Sequence, residues 1–165
     1  MATNTGTAIE ESLERSVSRV RQACAGLDDV AAGRTPPGED RWSAKQVISH
    51  LCGPETTGYI AGLKRFLDED TPQIDMEAGN PFYSPGREQK SIDELLSDFA
   101  AEFARVADFV RPLSDDQLSR KARIPMLKES PLGEYPTLGQ WVGAIAEFHV
   151  DFHLEQLGKI RNEVG

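Results

Sequence analysis

The chain reads as an all-α protein, a four-helix bundle with a short hairpin or extended segment before the last helix. Three observations predict this. A Ser or Thr followed three residues later by Glu or Gln stands before each long apolar run, and such pairs mark helix starts because the two side chains reciprocally satisfy first-turn N–H groups that lack partners. Each run repeats its apolar residues at steps of three and four, which keeps them on one helix face. Pro- and Gly-rich sequence gathers between the runs, with Pro54 as the exception.

The start pairs are Thr7 with Glu10, Ser43 with Gln46, Ser91 with Glu94 and Thr137 with Gln140, and Ser114 with Gln117 opens a shorter fifth segment. The first helix carries Ile9, Leu13, Val17, Val20, Cys24, Leu27 and Val30 and is predicted to end near Gly33, before Pro36-Pro37-Gly38. The second runs from Ala44 through Val47, Ile48, Leu51, Tyr59, Ile60, Leu63 and Phe66 to about Leu67. Pro54 lies inside it and lacks the N–H that would bond the carbonyl of residue 50, so a kink, or a stop and restart, is expected beside His50. The third bears Ile92, Leu95, Phe99, Phe103, Val106 and Phe109 and stops at Arg111-Pro112. The fourth, expected over residues 138–163, bears Leu138, Trp141, Val142, Ile145, Phe148, Phe152, Leu157 and Ile160. Residues 68–90 form a connection too long for a plain bundle loop, and such loops either cover sites or run over the surface. Residues 121–136 are turn-rich and extended.

A length of 165 residues suits one domain, here residues 1–165, and 39% hydrophobic with 27% charged residues excludes disordered and fibrous classes. The net charge of −9 would repel nucleic acid and anionic membranes. No apolar run is long enough to span a bilayer, and the start Met1-Ala2-Thr3-Asn4-Thr5-Gly6 has neither a basic nor an apolar leader region, so a cytoplasmic protein is expected. Cys24 and Cys52 then read as reduced, buried small hydrophobes.

The three histidines are not scattered. His149 and His153 stand at i and i+4 on the inward face of the fourth helix, where two imidazoles can reach one ion, and His50 lies between Val47 and Leu51 on the inward face of the second. A buried imidazole without partners costs about 1–3 kcal/mol, and a divalent cation satisfies one nitrogen of each ring at once. Three neutral ligands leave a position open for water, the layout of a catalytic or substrate-binding metal. Val150 after His149 rules out the H-E-x-x-H peptidase arrangement.

The segment Arg41-Trp42-Ser43-Ala44-Lys45-Gln46-Val47-Ile48-Ser49-His50-Leu51, together with Thr137-Leu138-Gly139-Gln140-Trp141-Val142 leading to His149-x-x-x-His153 and Gln156-Leu157, resembles the DinB/YfiT-like superfamily. The match in order and spacing covers nearly the whole chain, with a departure at Gly53-Pro54. The resemblance implies a bundle of up-down-down-up topology, a homodimer, and a divalent metal, zinc or nickel first and iron or manganese after them, on His50, His149 and His153. It also implies an enzyme acting on a small molecule: a low-molecular-weight-thiol S-transferase or a related metal-dependent hydrolase. A non-catalytic, metal-stabilised interaction bundle is the alternative. The Phe99, Phe103 and Phe109 stripe on the third helix fits the homodimer or, equally, the chain's own core.

Other residues read as weaker candidates. Cys52 lies about 200° around the helix from His50 and reads as packing. Asp68, Glu69, Asp70, Asp75 and Glu77 could supply a fourth ligand or a base but read first as a solvated acidic loop. Gln156 could orient a metal-bound water or a substrate, and reads first as a buried amide bonded to backbone. Tyr59, Tyr83 and Tyr135 are candidate pocket phenols.

Overall fold

The computed structural model describes residues 5–164; residues 1–4, on which the expectation of a leaderless start rests, lie outside them. The elements are α1 (Thr5–Cys24), α2 (Asp29–Gly33), α3 (Ala44–Cys52), α4 (Ile60–Asp68), α5 (Pro85–Glu88), α6 (Ile92–Val110), α7 (Asp115–Leu118), a single 3₁₀ turn at Pro125–Leu127, α8 (Leu138–Ala144), a π-turn at Ile145–His149 and α9 (Val150–Val164). Four layers make the bundle: α1, the broken pair α3 and α4, α6, and the continuous run from α8 to α9. The capping boxes at Ser43, Ser91, Ser114 and Thr137 are all formed, each with both reciprocal bonds. Thr7 is different: it stands inside α1 rather than before it.

Two further boundaries depart from the apolar periodicity. The first helix stops at Cys24, because Gly26 takes a φ of 84° and Asp28 caps a separate short helix by accepting from the Ala31 N–H. Val30 on α2 is consequently 70% exposed rather than part of the stripe. The second helix does stop and restart at Pro54. Gly53 ends α3 at φ 74° and ψ −171°, a region open only to glycine, and its N–H bonds the His50 carbonyl that proline leaves free.

The core is built from Leu13 and Val20 of α1, Val47, Ile48 and Leu51 of α3, Leu95, Phe99, Phe103 and Val106 of α6, and Leu138, Val142, Leu157 and Ile160 of the last run, all buried. Phe99 and Phe103 pack ring to ring at 4.5 Å, and Phe109 lies against the same core. The phenylalanine stripe of α6 thus fills the chain's own interior and lends no support to a homodimer.

The extended segment before the last helix is present as isolated bridges. Lys121 pairs antiparallel with Thr137, and Arg123 pairs parallel with Gln73, which ties the loop after α4 to the start of α8. No helix among the described residues is long and apolar enough to cross a membrane.

Candidate metal centre

α3 and α9 pack together, and this brings His50 to His153 on α9 and to His149, the last residue of the π-turn that leads into α9. One ligand nitrogen of each ring lies within 4.8 Å of the others. The His50 and His149 Nε2 atoms are 2.9 Å apart, and the His50 and His149 rings each lie 4.7 Å, centroid to centroid, from that of His153.

Backbone and amide oxygens fix two of the rings. His50 Nδ1–H donates to the Asn80 carbonyl at 2.6 Å, so its Nε2 carries a lone pair. His153 Nδ1–H donates to Gln156 Oε1 at 2.7 Å, with the same consequence. Carbonyl-oriented imidazoles of this kind are the usual outer support of metal-ligating histidines. His149 differs, because its buried Nδ1 has no protein partner among the described residues. With His50 protonated at Nδ1, two Nε2 lone pairs would confront each other unless His149 donated across the gap. A shared cation resolves that confrontation.

The electrostatics agree with neutral rings. Burial pushes the His149 pKa down from 6.5 to about 3, with the His153 and His50 charges adding to the shift. His153 falls to about 4, first through burial, with the Gln156 bond opposing and His50 reinforcing. Burial also lowers His50, against the Asn80 carbonyl. Deprotonated imidazole is the form a metal binds, so protons compete poorly for this site at neutral pH. The residues fit a divalent ion of intermediate softness. No carboxylate or thiolate joins the three rings among the described residues.

Aromatic side chains frame the triad. Trp42, just before the α3 cap, stacks 6.3 Å from His153 with planes 6° apart and leans on His50 at 5.2 Å. Phe82 stacks on His50 at 6.0 Å, and Phe152 meets His153 edge-on at 5.0 Å. Phe148 and Phe152, expected on the apolar stripe, are 70% and 67% exposed. The π-turn explains this: one extra residue per turn shifts the phase of α9 against α8. Residues 142, 146, 150, 153 and 157 therefore carry the buried stripe, and the two phenylalanines fall outside it. α1 holds the turn, since Ser16 Oγ donates to the Ala146 carbonyl and Ser12 Oγ to Glu147 Oε1.

The weaker candidates separate cleanly. Gln156 is not the backbone-bonded amide expected first: its Oε1 accepts from the His153 ring and orients it. Cys52 donates to the Leu95 carbonyl at 3.7 Å, and burial pushes its thiol to about 12, as it pushes Cys24 to about 11, so both are unreactive. Asp68, Glu69, Asp70, Asp75 and Glu77 are exposed and outside the histidine cluster. Glu69 pairs with Arg65, and Glu77 accepts from the Asn80 side chain. The Tyr59 hydroxyl is given to the Leu51 carbonyl, Tyr135 is half exposed, and no tyrosine hydroxyl bonds the three rings among the described residues. Sequence reasoning missed Asn80 and Phe82, which sit in the long loop without a motif.

Among solved structures the chain is similar to YfiT from Bacillus subtilis, a probable metal-dependent hydrolase with an unusual four-helix bundle topology, at a TM-score of 0.75 and 21% identity over 98% of this chain and 89% of that one. At that identity the likeness establishes the fold, a four-helix bundle. No curated protein matches the chain at a significant level. The family model of the DinB superfamily matches residues 12–157, a span that takes in Trp42, His50, His149 and His153, and the chain therefore belongs to the DinB superfamily.

Proposed function

We propose that His50, His149 and His153 hold one divalent metal ion and that the protein is a metal-dependent enzyme acting on a small molecule, hydrolysis being the reaction best supported. The observation that carries this reading is the convergence of three neutral imidazoles with no fourth protein ligand among the described residues. A structural site is closed by a fourth side chain, whereas a catalytic one keeps a position open. Three imidazoles suit zinc and nickel first, then iron; manganese prefers a harder oxygen set. Bound there, such an ion is a Lewis acid that makes water or a thiol nucleophilic near neutral pH. YfiT, the structural neighbour named above, favours hydrolysis. Low-molecular-weight-thiol S-transfer is the sibling chemistry on the same centre and, like the homodimer, rests on the family resemblance.

The chain's own residues supply position and environment. Asn80 and Gln156 hold the Nδ1 protons of His50 and His153, so that both Nε2 atoms face the centre. Trp42 stacks on the His153 ring and Phe82 on the His50 ring, which sets aromatic faces against two of the three imidazoles. Neither cysteine provides the nucleophile, since both thiols are buried and held protonated.

The test is a substrate screen of esters, amides and activated electrophiles, run with metal-loaded and chelated protein, with and without added low-molecular-weight thiols. Hydrolysis that appears on metal loading and vanishes in His153→Ala supports the reading. Activity only with a thiol present would move the assignment to S-transfer, and equal turnover by the chelated protein would reject metal dependence.

A further inference from the structure

The long loop between α4 and α5 is fastened to α3 by one buried cation. Arg87 is 6% exposed and has no carboxylate within ion-pair reach among the described residues. Its Nη1 instead reaches the Ser49 carbonyl at 3.1 Å, the Gly53 carbonyl at 2.6 Å and the Phe82 carbonyl at 3.2 Å. A charge is costly to bury, and here it is compensated by carbonyls at the C-terminus of α3, the negative end of the helix dipole. Ser49 Oγ donates to the same Phe82 carbonyl at 3.0 Å.

That grip holds an unusual backbone. Phe82 has a φ of 51°, a left-handed conformation rare for an aromatic residue, and its N–H is bonded by Asn80 Oδ1 at 2.8 Å. Strain of this sort persists where surrounding bonds over-determine it, commonly beside functional sites. Here it turns the Asn80 carbonyl onto His50 Nδ1 and lays the Phe82 ring on the His50 ring.

We propose that Arg87 is a positioning residue of the metal centre: it clamps residues 80–82 onto α3, so that Asn80 keeps the His50 proton on Nδ1 and Nε2 faces the other two histidines. The proposal rests on the three-histidine reading for its purpose, while the clamp's effect on His50 is measurable without metal. An arginine that merely caps α3 would stabilise the fold and leave the His50 tautomer alone.

The experiment uses ¹⁵N-histidine-labelled, metal-free protein, in which long-range ¹H–¹⁵N correlations show which ring nitrogen carries the proton, the signals being assigned by single histidine replacements. Wild-type His50 should be the Nδ1–H form. In Arg87→Met it should become a mixture containing Nε2–H, while His153, held by Gln156, keeps its pattern, and zinc affinity measured by chelator competition should fall 10- to 100-fold. Arg87→Lys, which keeps the charge with fewer donors, should lie between. Ser49→Ala, a milder change that tests the clamp should Arg87→Met fail to fold, should move His50 the same way by less. An unchanged His50 tautomer and zinc affinity in folded Arg87→Met or in Ser49→Ala would overturn the proposal, as would equal disturbance of His50 and His153. If wild type binds no zinc and His50 still responds to Arg87, the metal reading falls and the clamp on His50 stands.

Discussion

Replacing His149 with alanine perturbs the centre while leaving the apolar core in place, and the structure sets the size of the effect. The ring makes one polar contact, 2.9 Å to His50 Nε2, and buries a second nitrogen without a protein partner. Such an unpaired polar group costs about 1–3 kcal/mol, so removing it offsets much of the packing lost with the ring. The metal-free variant should therefore stay within about 1 kcal/mol of metal-free wild type. With metal the two diverge. An ion present at a hundredfold excess over its dissociation constant stabilises wild type by about 2.7 kcal/mol and should stabilise the variant hardly at all. Urea denaturation followed by circular dichroism, with and without zinc, measures both quantities through the midpoint at constant slope. A metal-free variant that is unfolded at room temperature would make the ring a structural element of the core. A variant that gains as much from zinc as wild type would show that the ion sits elsewhere.

The metal-free protein should lose stability as the pH falls below 6.5 towards 4, because His149 and His153 have folded values of about 3 and about 4 and the unfolded chain takes up protons first. The slope attributable to each is about 1.4 kcal/mol per pH unit, read as the difference in urea midpoints between wild type and the corresponding alanine variant; no difference between pH 7 and pH 5 would contradict the depressed values. Ser16→Ala leaves the buried Ala146 carbonyl of the π-turn without its hydroxyl donor and should cost about 1–3 kcal/mol in urea denaturation, whereas an unchanged midpoint would mean that the turn holds without it. Gly53→Ala places a side chain at φ 74° and ψ −171° and should destabilise by about 1–3 kcal/mol with α3 shortened at its end, while a neutral result would require the chain to cap α3 another way.

What could be read in the sequence was local. Ser43, Ser91, Ser114 and Thr137 announce their helices because a capping box needs only residues three apart. The three histidines were legible as a set because helical periodicity assigns each an inward face, and the convergence of two packed helices does the rest. The π-turn was not legible. Periodicity assumes 3.6 residues per turn, and the donor that holds the irregularity, Ser16, lies 130 residues away. For that reason periodicity puts Phe148 and Phe152 on the apolar stripe although both are exposed. Asn80 escaped notice for a related one: its backbone carbonyl is what bonds His50, so the identity of its side chain carries no signal at that contact. Gln156 stands one turn beyond His153, and periodicity cannot tell whether its amide bonds a ring nitrogen or the backbone. Phe99 and Phe103 carried no information on assembly, because an apolar face of that width serves a bundle's interior as readily as an interface.

The most direct test of the centre is a metal titration of the purified, chelator-stripped protein, with bound ion per chain determined by elemental analysis after gel filtration. A three-histidine site predicts one equivalent of zinc or nickel per chain, held at pH 7 and lost when any one of His50, His149 or His153 is replaced by alanine. Failure to retain zinc, nickel, iron or manganese, or an equivalent retained after all three histidines are replaced, would contradict it.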